Sequence, residues 1–136
     1  MSRETIYFTH PRSKQAMVKI VAWAVFGLGL AHIIFGIMRF KVPLTDALLA
    51  GFSGQFVVPE IRRTAFWFLM CGPMFMLAGH LAIHAVAMDD VRTLKLIGYY
   101  MFAASLVGVA AFPASPLWAP LLLSLPLIAA GHAWIR

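Results

Sequence analysis

Four histidines, His32, His80, His84 and His132, lie inside apolar runs that contain no Asp, Glu, Lys or Arg. In such surroundings an imidazole can ligate a metal or haem, relay a proton or hydrogen-bond a neighbouring helix. Met76, His80, His84 and Met88 recur every four residues, which on a helix makes a slowly drifting stripe. Thioether and imidazole donors suit copper(I), so Met76, His80 and His84 form a candidate metal site. Two histidines on different helices would suit a haem, with His80 or His84 paired with His132 as cofactor ligands. The structural alternative gives each neutral imidazole a backbone carbonyl, or a hydroxyl such as that of Ser105 or Ser124, on an adjacent helix. Eight methionines in so apolar a chain make four-residue coincidences common, and the stripe alone does not choose between these readings.

His32 stands apart from the others. It follows Lys19 by 13 residues and precedes Arg39 by seven, which at about 1.5 Å per residue separates it in depth from His80 by roughly 10 Å or more. One site using all four histidines is therefore not expected. Gly29 and Gly36 flank His32 at i−3 and i+4. They make either a flat face for close helix packing or the wall of a pocket for a small ligand.

The elements that must position these groups are membrane spans. With 62% hydrophobic and 12% charged residues, the chain lies far outside the composition of soluble domains. A hydrocarbon core of about 30 Å calls for about 20 apolar residues per helix, so 136 residues supply four spans and no separate soluble domain. The expected fold is an all-α, polytopic four-helix bundle forming one membrane domain over 1–136, with spans at about 20–38, 64–87, 96–112 and 117–135. The first run is read as a retained span: it is long, ends in Met38-Arg39-Phe40-Lys41 and lacks a small-residue cleavage pattern.

Residues 1–19 read as a membrane-surface arm. Between the first two spans, Pro43-Leu44-Thr45-Asp46 looks like a helix start and Gly51 like its stop, predicting a short interfacial helix that lids one end of the bundle. Gly72-Pro73 predicts a kink in the second span. Pro113-Ala114-Ser115-Pro116 is too short to cross a bilayer, so the last two spans must form an antiparallel hairpin, with Ala104 and Gly108 as a small-residue pair for close contact. Pro120 is expected in the first turn of the last helix and Pro126 to bend it.

Lys and Arg are unevenly placed. Arg3, Arg12, Lys14, Lys19, Arg92, Lys95 and Arg136 stand on the side of the termini, against Arg39, Lys41, Arg62 and Arg63 on the other, which predicts both termini in the cytoplasm. The net charge of +6 does not imply nucleic acid, because the basic residues sit at span ends and form no stripe interleaved with aromatics. The expected partners are membrane lipids, together with other membrane subunits or a second copy of the chain. Asp46, Glu60, Arg62 and Arg63 read as an ion-pair cluster or as solvated loop charges. Trp23, Trp67, Trp118 and Trp134 read as interfacial anchors. Cys71, alone, permits no intrachain disulfide and reads as packing.

Three segments carry a resemblance: Gly27 to Gly36 (Gly-Leu-Gly-Leu-Ala-His-Ile-Ile-Phe-Gly), Arg62 to Leu69 (Arg-Arg-Thr-Ala-Phe-Trp-Phe-Leu) and Val107 to Pro116 (Val-Gly-Val-Ala-Ala-Phe-Pro-Ala-Ser-Pro). Together they resemble an uncharacterised family of small bacterial four-helix integral membrane proteins, over nearly the whole chain from the first span onward. The resemblance implies a compact bundle with a longer loop after the first helix, in a bacterial inner membrane, and it implies no activity. Only His32 falls in a resembling segment. A fainter similarity to DoxX-type membrane proteins is one of architecture alone.

No nucleophile–base pair, carboxylate pair or nucleotide loop is found in the sequence. The chain therefore reads first as a non-enzymatic accessory subunit or a binder of an apolar small molecule or lipid. The alternatives are a redox subunit holding haem or copper, and a small oligomeric transporter gated at His32.

Overall fold

The computed structural model of the protein describes residues 11–132, and within them the chain is all-α. Five helices follow one another: α1 (Pro11–Arg39), α2 (Lys41–Leu49), α3 (Glu60–Ala87), α4 (Val91–Ala111) and α5 (Trp118–Gly131). α1, α3 and α4 are long and apolar enough to cross a membrane, whereas α5 has 14 residues, about 21 Å. The four longer helices form a closed ring: α1 packs on α3, α3 on α4, α4 on α5 and α5 on α1. The backbones of the diagonal pairs stand apart among the described residues, and those helices meet only through side chains in the core.

α1, α3 and α4 start earlier than hydropathy alone predicts, because helix propensity and caps set their ends. α1 begins at Pro11, where a missing N–H costs nothing, and continues through Lys19 without a breaker. α3 begins at Glu60, directly after Pro59, and runs unbroken through Pro73. α4 begins at Val91, ahead of the expected Leu96, because the Asp90 carboxylate accepts from Thr93 N at 3.1 Å and from the Thr93 hydroxyl. In α5, Pro120 lies in the first turn and Pro126 inside the helix. The last residues of the expected fourth span, 133–135, and the greater part of the expected N-terminal arm, residues 1–10, lie outside the described residues.

Those Thr93 bonds hold the Asp90 carboxyl below the usual carboxylate range, the hydroxyl bond being the larger cause. A lowered folded-state pKa contributes stability above the ordinary carboxylate range and loses it as pH falls through the lowered value. Asp90→Asn keeps a good cap without the titration. Thermal unfolding should therefore show wild type losing ground to Asp90→Asn as pH drops from 7 toward 3; parallel curves would contradict this role for Asp90.

Ala and Val make up most of the interior core, and many large apolar side chains face outward. Val18, Ala22 and Val25 of α1 meet Ala82, Ala85 and Val86 of α3, Leu94 and Met101 of α4, and Leu127 and Ala130 of α5. This shared core occupies the half of the ring nearest the chain termini. Outward face Leu30 and Phe35, Met74 and Leu77, Tyr100 and Val107, and Leu122 and Leu125, all exposed. Close approach is set by glycine. A Cβ on Gly98 would lie 2.7 Å from Ile128 Cγ1, and one on Gly131 would lie 2.5 Å from Lys95 Cβ. The expected Ala104–Gly108 pair is only half used: Gly108 faces Leu117, while Ala104 is exposed.

α2 is not a lid over the whole bundle. Phe40, buried and 5.4 Å from the Phe68 ring, separates α1 from α2, and among the described residues α2 packs on α1 and α3 only. Gly51, at φ +100°, ends it as the sequence predicts. Beyond α2, Arg63 pairs with Glu60 at 3.0 Å on an exposed turn, and Arg62 reaches Gln55 at 3.5 Å.

Candidate functional site

The α1/α3 seam organises the polar groups on these two helices. α1 and α3 run antiparallel with Gly79 against the Phe26 backbone and Gly72 against Gly29, so the helices nearly touch. A Cβ on Gly29 would lie 2.6 Å from Gly72 O and from Met76 Cγ, and one on Gly36 would lie 2.7 Å from Leu69 Cδ2. The space beside Gly29 and Gly36 is thus filled by α3, and the flat face serves packing in place of a ligand pocket there. His32 sits between them, half-buried, with Nε2 3.0 Å from Phe68 O and its ring stacked on Phe68 at 4.1 Å. A carbonyl only accepts, so Nε2 carries the hydrogen and donates it. Phe68 lies five residues before Pro73, in the turn whose hydrogen-bond ladder the proline interrupts.

His32 therefore clamps α1 to the proline turn of α3. His32→Phe keeps a ring for stacking and loses only the bond, while His32→Ala loses both. Unfolding of the purified protein should rank wild type above His32→Phe above His32→Ala, the last costing about 1 to 2 kcal/mol. Equal stabilities would remove the clamp.

The remaining sequence candidates do not converge. Met76 is half-buried over Gly29 in the seam, whereas His80 and His84 are exposed. His132 stands at the end of α5, whose backbone does not approach that of α3 among the described residues. Among the described residues no three His, Cys, Asp or Glu side chains cluster as metal ligands would. His132 Nε2 is instead hydrogen-bonded to the Tyr99 hydroxyl at 2.9 Å, with the rings edge to face at 6.0 Å. Ser124, one of the hydroxyls expected to serve a histidine, donates within its own helix to Leu121 O at 2.6 Å.

A groove lies between α1 and α3 at the end of the bundle nearer Lys19. Gln15, Ala16, Lys19 and Trp23 line one wall and Ile83, Val86 and Ala87 the other, around about 590 Å³. The volume falls in the range of small-ligand sites. Gln15, Lys19 and Trp23 are spaced i, i+4, i+8, so one stripe of α1 supplies an amide, an ammonium and an indole in order of depth. Across from them the α3 wall is aliphatic. Lys19 makes no ion pair or hydrogen bond among the described residues. His80, Ile83, His84 and Ala87 share one side of α3, which places both exposed histidines beside the groove. The four-residue spacing of Gln15, Lys19 and Trp23 was readable in the sequence, but Lys19 there counts as an orientation charge and Trp23 as an anchor. Their common function depends on α3 lying opposite.

No curated protein and no solved structure matches the chain. A protein-family model described as a family of unknown function, DUF6463, matches residues 16–134, from the groove wall of α1 to beyond the end of α5. An uncharacterised family is what the resemblance in the sequence implied. The chain is a member of the DUF6463 family.

Proposed function

We propose that this chain is a four-span integral membrane protein, with both termini cytoplasmic, that holds a membrane phospholipid in the groove between α1 and α3 and acts by binding. The groove carries the reading: it is open, amphipathic and placed at the end of two long apolar helices, with polar groups toward the termini and Trp23 deeper. Such an order of side chains matches the polarity gradient from headgroup to acyl chain. The inside-out distribution of residue size supports the bilayer, because small residues let helices approach where lipid supplies no hydrophobic drive between them.

α5 is the shortest span, and its pairing with α4 supports a fourth crossing. Leu117 lies by Gly108, Ile128 by Gly98 and Gly131 by Lys95, so α5 tracks α4 antiparallel for 13 residues, about 20 Å. α5 therefore ends on the side of Lys19 and Lys95. The excess of Lys and Arg on that side favours the cytoplasm.

Protein purified in mild detergent should carry about one phospholipid per chain after exhaustive washing, measured as extractable lipid phosphorus. Ala87→Trp fills the groove and should release it with the helical circular dichroism unchanged. Wild-type protein that washes free of phospholipid while folded would overturn the reading.

A further inference from the structure

We infer that the groove selects an anionic phospholipid, its phosphate held by Lys19 and Gln15 and one acyl chain laid along Trp23 and Ile83. This inference rests on the lipid reading above and adds the chemical class of the occupant. Charge complementarity carries it. Lys19 is a fixed positive charge on the rim of a partly enclosed groove, and it is paired with no acid among the described residues. Among the described residues two acids stand at this end of the bundle: Asp90 is engaged in capping α4 through Thr93, and Asp89 has a partner of its own. Gln15, one turn toward the terminus, supplies an amide N–H for a second phosphate oxygen. A zwitterionic lipid would add a choline cation next to the same ammonium, whereas a singly anionic lipid neutralises it.

The geometry also fits a chain-anchored phosphate. From Gln15 to Trp23 the α1 wall runs eight residues, about 12 Å, passing from an amide through an ammonium to an indole. The described α3 side chains that line the groove opposite them, Ile83, Val86 and Ala87, are aliphatic. A phosphate at the Lys19 level thus leaves its glyceride ester near the Trp23 indole and its acyl chain on Ile83. Among the described residues Lys19 is the one cation that lines the groove, so selection is tested at Lys19 itself.

The test is a competition on the intact, delipidated protein, with phosphatidylglycerol and phosphatidylcholine of identical acyl chains offered in equal amounts and the bound species read by native mass spectrometry. Wild type should take phosphatidylglycerol over phosphatidylcholine by about fivefold, the factor expected of one lysine near a phosphate. Lys19→Arg should keep that ratio, Lys19→Gln should bring it near one, and Ala87→Trp should remove both lipids. Equal uptake by wild type, or a preference that survives Lys19→Gln, would overturn the selectivity and leave the lipid reading standing. Uptake of neither lipid by folded wild type would overturn both.

Discussion

Gly79→Ala should unfold with a loss of about 2 to 3 kcal/mol, while Gly27→Ala, on the facing helix, should unfold at or slightly above the wild-type midpoint. Both exchanges raise helix propensity by a similar amount, up to about 1 kcal/mol. They differ in what the new methyl meets. At Gly79 the Cβ would fall on the Phe26 amide nitrogen and 2.5 Å from its Cα, so the backbone of α1 must move away. That movement also opens the contacts of Gly72 with Gly29 and of Met76 over it, and it widens the groove between Trp23 and Ile83. At Gly27 nothing lies within 4 Å. Denaturant titration of both variants in the same micelle measures the difference, and equal midpoints would show that α1 and α3 are not in backbone contact.

The second large effect distinguishes lipid from water around the helices. Leu77 is 54% exposed near the middle of α3, on the outer surface. In hydrocarbon, Leu77→Arg should cost about 2.5 to 3.5 kcal/mol and sharply lower the amount of protein recovered in membranes. On a water-facing surface the same exchange would fall within about 0.5 kcal/mol of neutral. Leu77→Ile serves as the control for packing. Membrane recovery of Leu77→Arg equal to that of Leu77→Ile would mean that this face does not meet lipid.

The course of the helices was legible from hydropathy, prolines and charge, because those features act locally. Gly51 as the stop of α2 and Pro113-Ala114-Ser115-Pro116 as a tight connection are of this kind. What stayed hidden depends on which faces meet. Gly29 and Gly36 read equally as packing or pocket until α3 filled the space, and Gly79, the tightest contact with Phe26, gave no signal beyond being a glycine in a span. The Met76–His80–His84 stripe obeyed helical spacing, yet helix rotation turned Met76 into the seam and left both histidines exposed. His32 and His132 found partners 36 and 33 residues away, a carbonyl and a phenol that no spacing rule links to them. The groove was hidden for the same reason, since its two walls are about 60 residues apart in the chain and each alone looks like an ordinary span end.

Site-by-site labelling of single cysteines in a Cys71→Ala background, with a membrane-impermeant maleimide applied to intact cells, tests the proposed four crossings directly. Ser53→Cys, beyond α2, and Ala114→Cys, between α4 and α5, should label from outside. Met88→Cys, between α3 and α4, and a cysteine appended after Arg136 should label only once the membrane is opened. Label at the appended cysteine and at Ala114→Cys from the same side would contradict the fold in the bilayer, because α5 would then lie along the surface and the termini would no longer share the side on which Lys19 meets the headgroups.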